Sequence, residues 1–227
     1  MEKLSGFLFP HEIGAELIYS FVIIVCSLMI YYATREMYEL SSYKGIKYFR
    51  RAFLFFAIAY FFRYFIRFIL VFFNLREILE VSPRFIGWIS LFIFLYFSLM
   101  SVFYLLYSVM WKKFNNSKIK IYWLNIFALL IALICVFLRS IAIYIILNLL
   151  LLVFGCFTLL IAYKNSKNKK RGKDLFVIYF LLFIFLILNI VDILVPKFLE
   201  FYRIVIYLIS IFLFMAILYK VLKKVGN

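Results

Sequence analysis

Apolar runs of twenty or more residues follow one another along almost the whole chain, separated by short segments rich in lysine and arginine. Inside a bilayer no water is available to the backbone, so each crossing segment must satisfy its own N–H and C=O groups, and an α-helix of about 20 apolar residues does so across a core of about 30 Å. Composition agrees with that reading. Of 227 residues, 68% are hydrophobic and mean hydropathy is +1.09, whereas soluble domains are nearer half apolar. No stretch outside the apolar runs is long enough for a soluble domain. The expected fold is an all-α integral membrane protein with seven transmembrane helices, forming one domain over residues 1–227.

The spans fall at about 13–34, 51–73, 85–111, 121–138, 141–163, 175–195 and 198–222. The fourth and fifth are separated by a length argument. Ile121–Tyr163 as one helix would be about 65 Å long, twice the bilayer core. Its single interior charge, Arg139, followed by Ser140, marks the turn.

Alternate loops carry Arg35, Lys44, Lys47, Arg50 and Arg51; then Lys112, Lys113, Lys118 and Lys120; then Lys164, Lys167, Lys169, Lys170, Arg171 and Lys173; then Lys220, Lys223 and Lys224. Eighteen of the 26 basic residues thus lie on one side, and that side is cytoplasmic by the positive-inside rule. The N-terminus is expected outside and the C-terminus inside. The net charge of +16 then finds its partner in the anionic head groups of the cytoplasmic leaflet, and no nucleic acid is needed to explain it. Cys26, Cys135 and Cys156 sit inside apolar runs, as buried thiols rather than disulfide partners. With His11 as the one histidine, a histidine-rich metal site is excluded, and no cofactor is expected. No signal peptide is expected at the N-terminus. The Lys-, Ile- and Phe-rich composition points to the plasma membrane of a prokaryote.

Two segments match. Asn74-Leu-Arg-Glu77-Ile-Leu, followed by Pro83-Arg84-Phe85, parallels Asn189-Ile-Val-Asp192-Ile-Leu, followed by Pro196-Lys197-Phe198. The helices that follow end alike, Leu106-Tyr107 before Lys112-Lys113 and Leu218-Tyr219 before Lys223-Lys224. The expectation is a parallel internal repeat of three helices, a linker helix and three helices, with halves at about 13–113 and 141–224. Parallel repeats hold substrate between their halves. In this layout the chain resembles the SWEET sugar transporters in topology alone. Its prolines, Pro10, Pro83 and Pro196, lie at helix starts, and it contains no glutamine, so their proline–glutamine signature is absent.

Polar groups within the spans are the candidates for function, since lipid rejects them and turns them inward. Arg63 and Arg67 stand out: a charge at mid-membrane costs from about 3 to more than 10 kcal/mol. Glu16, on the first helix, is the expected salt-bridge partner of Arg67. Arg63 lies deeper, level with Ser20, Ser101 and Asn148, with no acid at that depth and with Asp192 nearer the surface. Tyr104, Asn189 and Asp192 complete the candidate ligand-binding set. There is no serine–histidine–acid set within the spans and no glycine-rich phosphate loop, so an enzyme is not expected. The function expected is a carrier or facilitator that binds a small polar or anionic solute in an outward-facing polar cavity. The alternatives are a seven-helix receptor signalling to a separate cytoplasmic partner, or a structural subunit of a membrane complex. A second copy of the chain is compatible with either.

Overall fold

The computed structural model describes residues 10–65, 83–111, 118–138, 141–166, 172–194 and 200–225. They form seven α-helices: α1 Pro10–Ser41, α2 Lys44–Tyr60, α3 Pro83–Met110, α4 Lys118–Leu138, α5 Ile141–Ser166, α6 Gly172–Leu194 and α7 Glu200–Val225. α2 runs on into a π turn, Phe61–Phe65. Six of the seven, all but α2, are long and apolar enough to cross a bilayer, and the chain is an all-helical membrane protein.

The helix order matches the expected spans, including the break between Leu138 and Ile141. One boundary is corrected. The basic loop expected over Arg35–Arg51 is not a loop: α1 continues to Ser41 and α2 begins at Lys44. Polar residues mark where a helix leaves the lipid, not where it ends. Beyond the lipid an i,i+4 ion pair such as Arg35–Glu39, at 2.7 Å, still favours the helix. The connection is Ser42–Tyr43, with Ser42 at φ 49° and its N–H bonded to the Tyr38 carbonyl at 2.8 Å. The later part of the expected second span, with Arg67, lies outside the described residues, as does Asn74 just after it. Most of the Asn74–Phe85 motif lies outside them too.

Packing runs in a ring: α1 on α2, α2 on α3, α3 on α5, α5 on α6, α6 on α7, and α7 back on α1. α4 stands outside this ring against α3, with slight contact to α5. Exchanging α1, α2 and α3 for α5, α6 and α7 leaves the ring order unchanged. Phe53, Phe56, Phe185 and Phe214 meet at its centre, with the Phe185–Phe214 centroids 4.6 Å apart and edge to face. Edge-to-face pairs contribute about 0.5–1.5 kcal/mol each beyond their area. Large apolar residues such as Phe137, Phe201 and Phe212 face outward, as a lipid-facing surface requires.

Lipid tails are as apolar as leucine, so helices associate through close packing rather than through water exclusion. Gly45 shows how close. A Cβ there would meet the Ser108 carbonyl at 2.9 Å and Trp111 Cδ1 at 3.0 Å, besides the Tyr43 ring. At Gly14 a Cβ would meet nothing within 4 Å. Gly45→Ala is therefore expected to destabilise the purified protein by about 1–3 kcal/mol through overpacking. Gly14→Ala should be neutral or stabilising by up to about 1 kcal/mol through helix propensity. Thermal unfolding in detergent reads both.

Candidate functional site

The second helix carries the site because of its pattern. Phe49, Ala52, Phe53, Phe56, Ala59 and Tyr60 are buried at three- and four-residue spacing, which holds one face against the bundle. Arg63 follows Tyr60 by three residues, in the π turn, and so stays near that face. Across the bundle α6 presents Phe185, Asn189 and Asp192 at the same spacing.

These two faces meet in register. Tyr60 Oη donates to Asn189 Oδ1 at 2.8 Å. One turn further on, Arg63 Nη2 lies 3.6 Å from Asp192 Oδ2. Asn189 Nδ2 in turn donates to the Phe185 carbonyl at 3.0 Å. The Tyr19 and Tyr60 hydroxyls are 3.3 Å apart. With the Tyr60 proton directed at Asn189, Tyr19 is the donor of that pair. The Tyr19 ring stacks on Tyr207 of α7 at 4.6 Å between centroids. A single polar chain thus ties α1, α2 and α6, with α7 stacked against it.

The expectation that Arg63 has no acid at its level is corrected. Placing the second span's start at Arg51 put Arg63 at mid-membrane. α2 starts at Lys44 and α6 at Gly172, so Arg63 and Asp192 each lie about 30 Å along their helices at 1.5 Å per residue.

Two further groups offset the cost of the arginine. Its guanidinium carbon sits 5.0 Å from the Phe94 ring centroid, within cation–π range. It also borders a cavity of about 30 Å³, room for about two waters. Tyr60, Asn148, Asn189 and Ser98 line the same space, which lies between the α2–α3 and α5–α6 pairs. Asp192 is itself buried, and its Oδ1 has no hydrogen-bond partner. Arg203 and Tyr207 of α7 lie near enough to act on that carboxylate. Arg203 Nε is also buried without a partner.

The structure therefore brings together Arg63, Asn148, Asn189 and Asp192 from the expected set. It separates the others. Ser20 and Ser101 are buried, and their hydroxyls bond the carbonyls of Leu17 and Ser98 on their own helices at 2.9 and 2.8 Å, the usual fate of serine in a membrane helix. Tyr104 stacks between Tyr48 and Phe55, away from this cavity. Glu16 lies on α1 near Tyr207, and its expected partner Arg67 is outside the described residues. Sequence reading passed over Tyr19 as a site residue, although it lies three residues after Glu16 and so shares its face. In a chain with 18 tyrosines, one more inside a helix carries little signal. Phe94 gave none at all.

Removing one member of a buried ion pair leaves the other uncompensated. Asp192→Leu and Arg63→Met are each expected to cost about 2–4 kcal/mol, at the low end because Arg63 is part-exposed. The double variant should cost less than the sum of the two. A double-mutant cycle by thermal unfolding in detergent measures that coupling; strict additivity would show the pair to be energetically idle.

No family model matches the chain, and no solved structure matches it. It is 30% identical over 222 residues to an uncharacterized protein of the archaeon Archaeoglobus fulgidus, a match that covers 93% of each chain. The chain belongs to the same family as that archaeal protein.

Proposed function

We propose that this protein is a non-enzymatic carrier or facilitator for a small polar or anionic solute, and that the solute binds between two three-helix halves. The observation that carries this reading is the cavity bordered by Arg63, Asn148, Asn189 and Tyr60, with the Arg63–Asp192 pair at its edge. Intramembrane ionisable residues are expensive and mark substrate and ion paths. A dry strut would need no space beside it. The cavity holds only about two waters, so a solute of any size requires the halves to part.

The ring order supports the repeat. α1–α2–α3 and α5–α6–α7 have the same internal adjacency, and they close on each other through α3–α5 and α7–α1. An odd linker, α4, makes the halves parallel. Tyr107 and Tyr219, matched in sequence, differ in burial, in keeping with halves that have diverged. The basic loops support the orientation N-out and C-in, and the archaeal relative supports the plasma membrane of a prokaryote. Anionic lipid on the cytoplasmic side is the partner of those loops.

Two measurements test the reading. In proteoliposomes, tracer influx of the transported solute should fall by about tenfold or more in Arg63→Ala, the effect of losing one charge-assisted hydrogen bond. Unchanged flux for every transported solute would sink the proposed site. For orientation, Ser5→Cys should react with an impermeant maleimide on intact cells, and Ser166→Cys only after permeabilisation. The reverse pattern would invert the topology.

A further inference from the structure

The elbow between α1 and α2 holds one arginine in a fixed place. Ser42, at φ 49°, turns the chain between the two helices. Gly45 lets the start of α2 close onto the Ser108 carbonyl and Trp111 of α3. α2 is thus set against both neighbours from its first turn. Arg50, in the second turn, reaches back to α1. Its Nε donates to the Tyr31 carbonyl at 3.1 Å, and its guanidinium carbon lies 4.6 Å from the Tyr31 ring centroid, within cation–π range. A guanidinium carries its N–H donors in a planar fork. With Nε committed and one face on a ring, the edge formed by the two Nη groups is left for a fork contact, and that edge matches two oxygens of a phosphate.

Depth says which phosphate. Tyr31 lies one turn on the membrane side of Arg35, the next charged residue of α1 after Glu16. Arg50 therefore sits where hydrocarbon gives way to head groups, the level at which tyrosines such as Tyr31 and Tyr32 collect. Lys47 and Arg51 lie within about 100° of it round α2, and no acid occurs in α2 from Lys44 to Tyr60. The acids at the end of α1 are Glu39, which pairs with Arg35 at 2.7 Å, and Glu36, about 140° round α1 from Tyr31. Among the described residues none of Lys47, Arg50 and Arg51 is in an ion pair. Toward the membrane centre, Leu28 of α1 and Leu54 of α2 follow on the same sides and are part-exposed, so an acyl chain has apolar surface to lie on.

We propose that the α1–α2 elbow binds one anionic phospholipid of the leaflet on the basic side, with the Arg50 fork on its phosphate and Lys47 and Arg51 beside it. The apolar surface next to the cations selects a lipid over a soluble phosphate. The site lies at the opposite end of α2 from Arg63 and does not depend on what the bundle carries.

The full chain, purified in detergent, is titrated with dioleoylphosphatidylglycerol or dioleoylphosphatidylcholine, and bound lipid is counted by native mass spectrometry. The anionic lipid should bind about fivefold or more tightly, the factor that one cation contributes beside an anionic lipid surface. Arg50→Leu should weaken its binding by about tenfold, the effect of losing a charge-assisted hydrogen bond. Arg50→Lys keeps the charge but not the fork, and should still bind about threefold more weakly than the wild type. Lys223→Leu removes the same charge from the end of α7 and should change binding by less than about twofold. Equal binding of the two lipids, wild-type binding by Arg50→Lys, or an equal loss in Lys223→Leu each overturns the site. A second measurement needs no variant. Phosphatidylglycerol with a photoactivatable head group should label the wild-type peptides around Tyr31 and Arg50 in preference to segments 112–120 and 164–173; even labelling of all three overturns the proposal. Phosphatidylglycerol should also raise the thermal midpoint of the wild type, and inorganic phosphate at the same concentration should not. If phosphate raises it equally, the site takes a soluble anion and the lipid assignment falls.

Discussion

The contact between Arg63 and Asp192 is the interaction on which the rest of the site depends. Either group alone would be intolerable at its position, and together they are only partly compensated. In water such a pair contributes little, because solvent screens it and side-chain entropy opposes it. Inside a bundle the attraction grows, but so does the cost of stripping water from both ions, and the two nearly cancel. What tips the balance is the surroundings: the Phe94 ring behind the guanidinium, the small cavity beside it, and the polar chain from Tyr19 through Tyr60 to Asn189 one turn away. The pair is then an adjustable element set in a rigid frame.

That frame is aromatic. Phe53, Phe56, Phe185 and Phe214 fill the centre of the ring, and Tyr48, Phe55 and Tyr104 stack between α2 and α3. In lipid, where burial of apolar surface drives nothing, shape has to do what water exclusion does elsewhere. Phenylalanine suits this, having few rotamers to freeze and a quadrupole that favours tilted and edge-on contacts. Close approach needs small residues as well, and Gly45 under Trp111 and the Ser108 carbonyl supplies one.

Much of this architecture is legible in the sequence. Hydropathy and length anticipated the six described helices that are long and apolar enough to span, because the bilayer thickness is fixed and the backbone has no alternative to a helix within it. That one helix ends at Leu138 and the next begins at Ile141 was expected from length and from the charge of Arg139. Helix ends were less legible: Arg35, Glu36 and Glu39 look like loop residues and are helical, since hydropathy reports the solvent and not the backbone. That error hid Asp192 as the partner of Arg63. Arg63 also lies within the π turn Phe61–Phe65. A π turn changes the angular count, and nothing in Phe-Phe-Arg-Tyr-Phe announces it. Its freed backbone is met from α3, where the Ser90 hydroxyl donates to the Phe62 carbonyl. Asn189 and Asp192 were identifiable because polar residues in an apolar helix are few; Tyr19 and Tyr60 were not singled out because tyrosines are many.

The placement of α4 has a consequence for how such a chain could arise and vary. A three-helix unit copied directly after itself would enter the membrane upside down, because three crossings reverse the direction of travel. One extra crossing restores it. Since α4 leans on the outside of α3 and closes no part of the ring, its side chains answer to lipid thickness and head groups more than to the interior of the ring. If the halves are a parallel repeat, as proposed, α4 is the crossing that restores direction, and its sequence is free to drift with the host membrane.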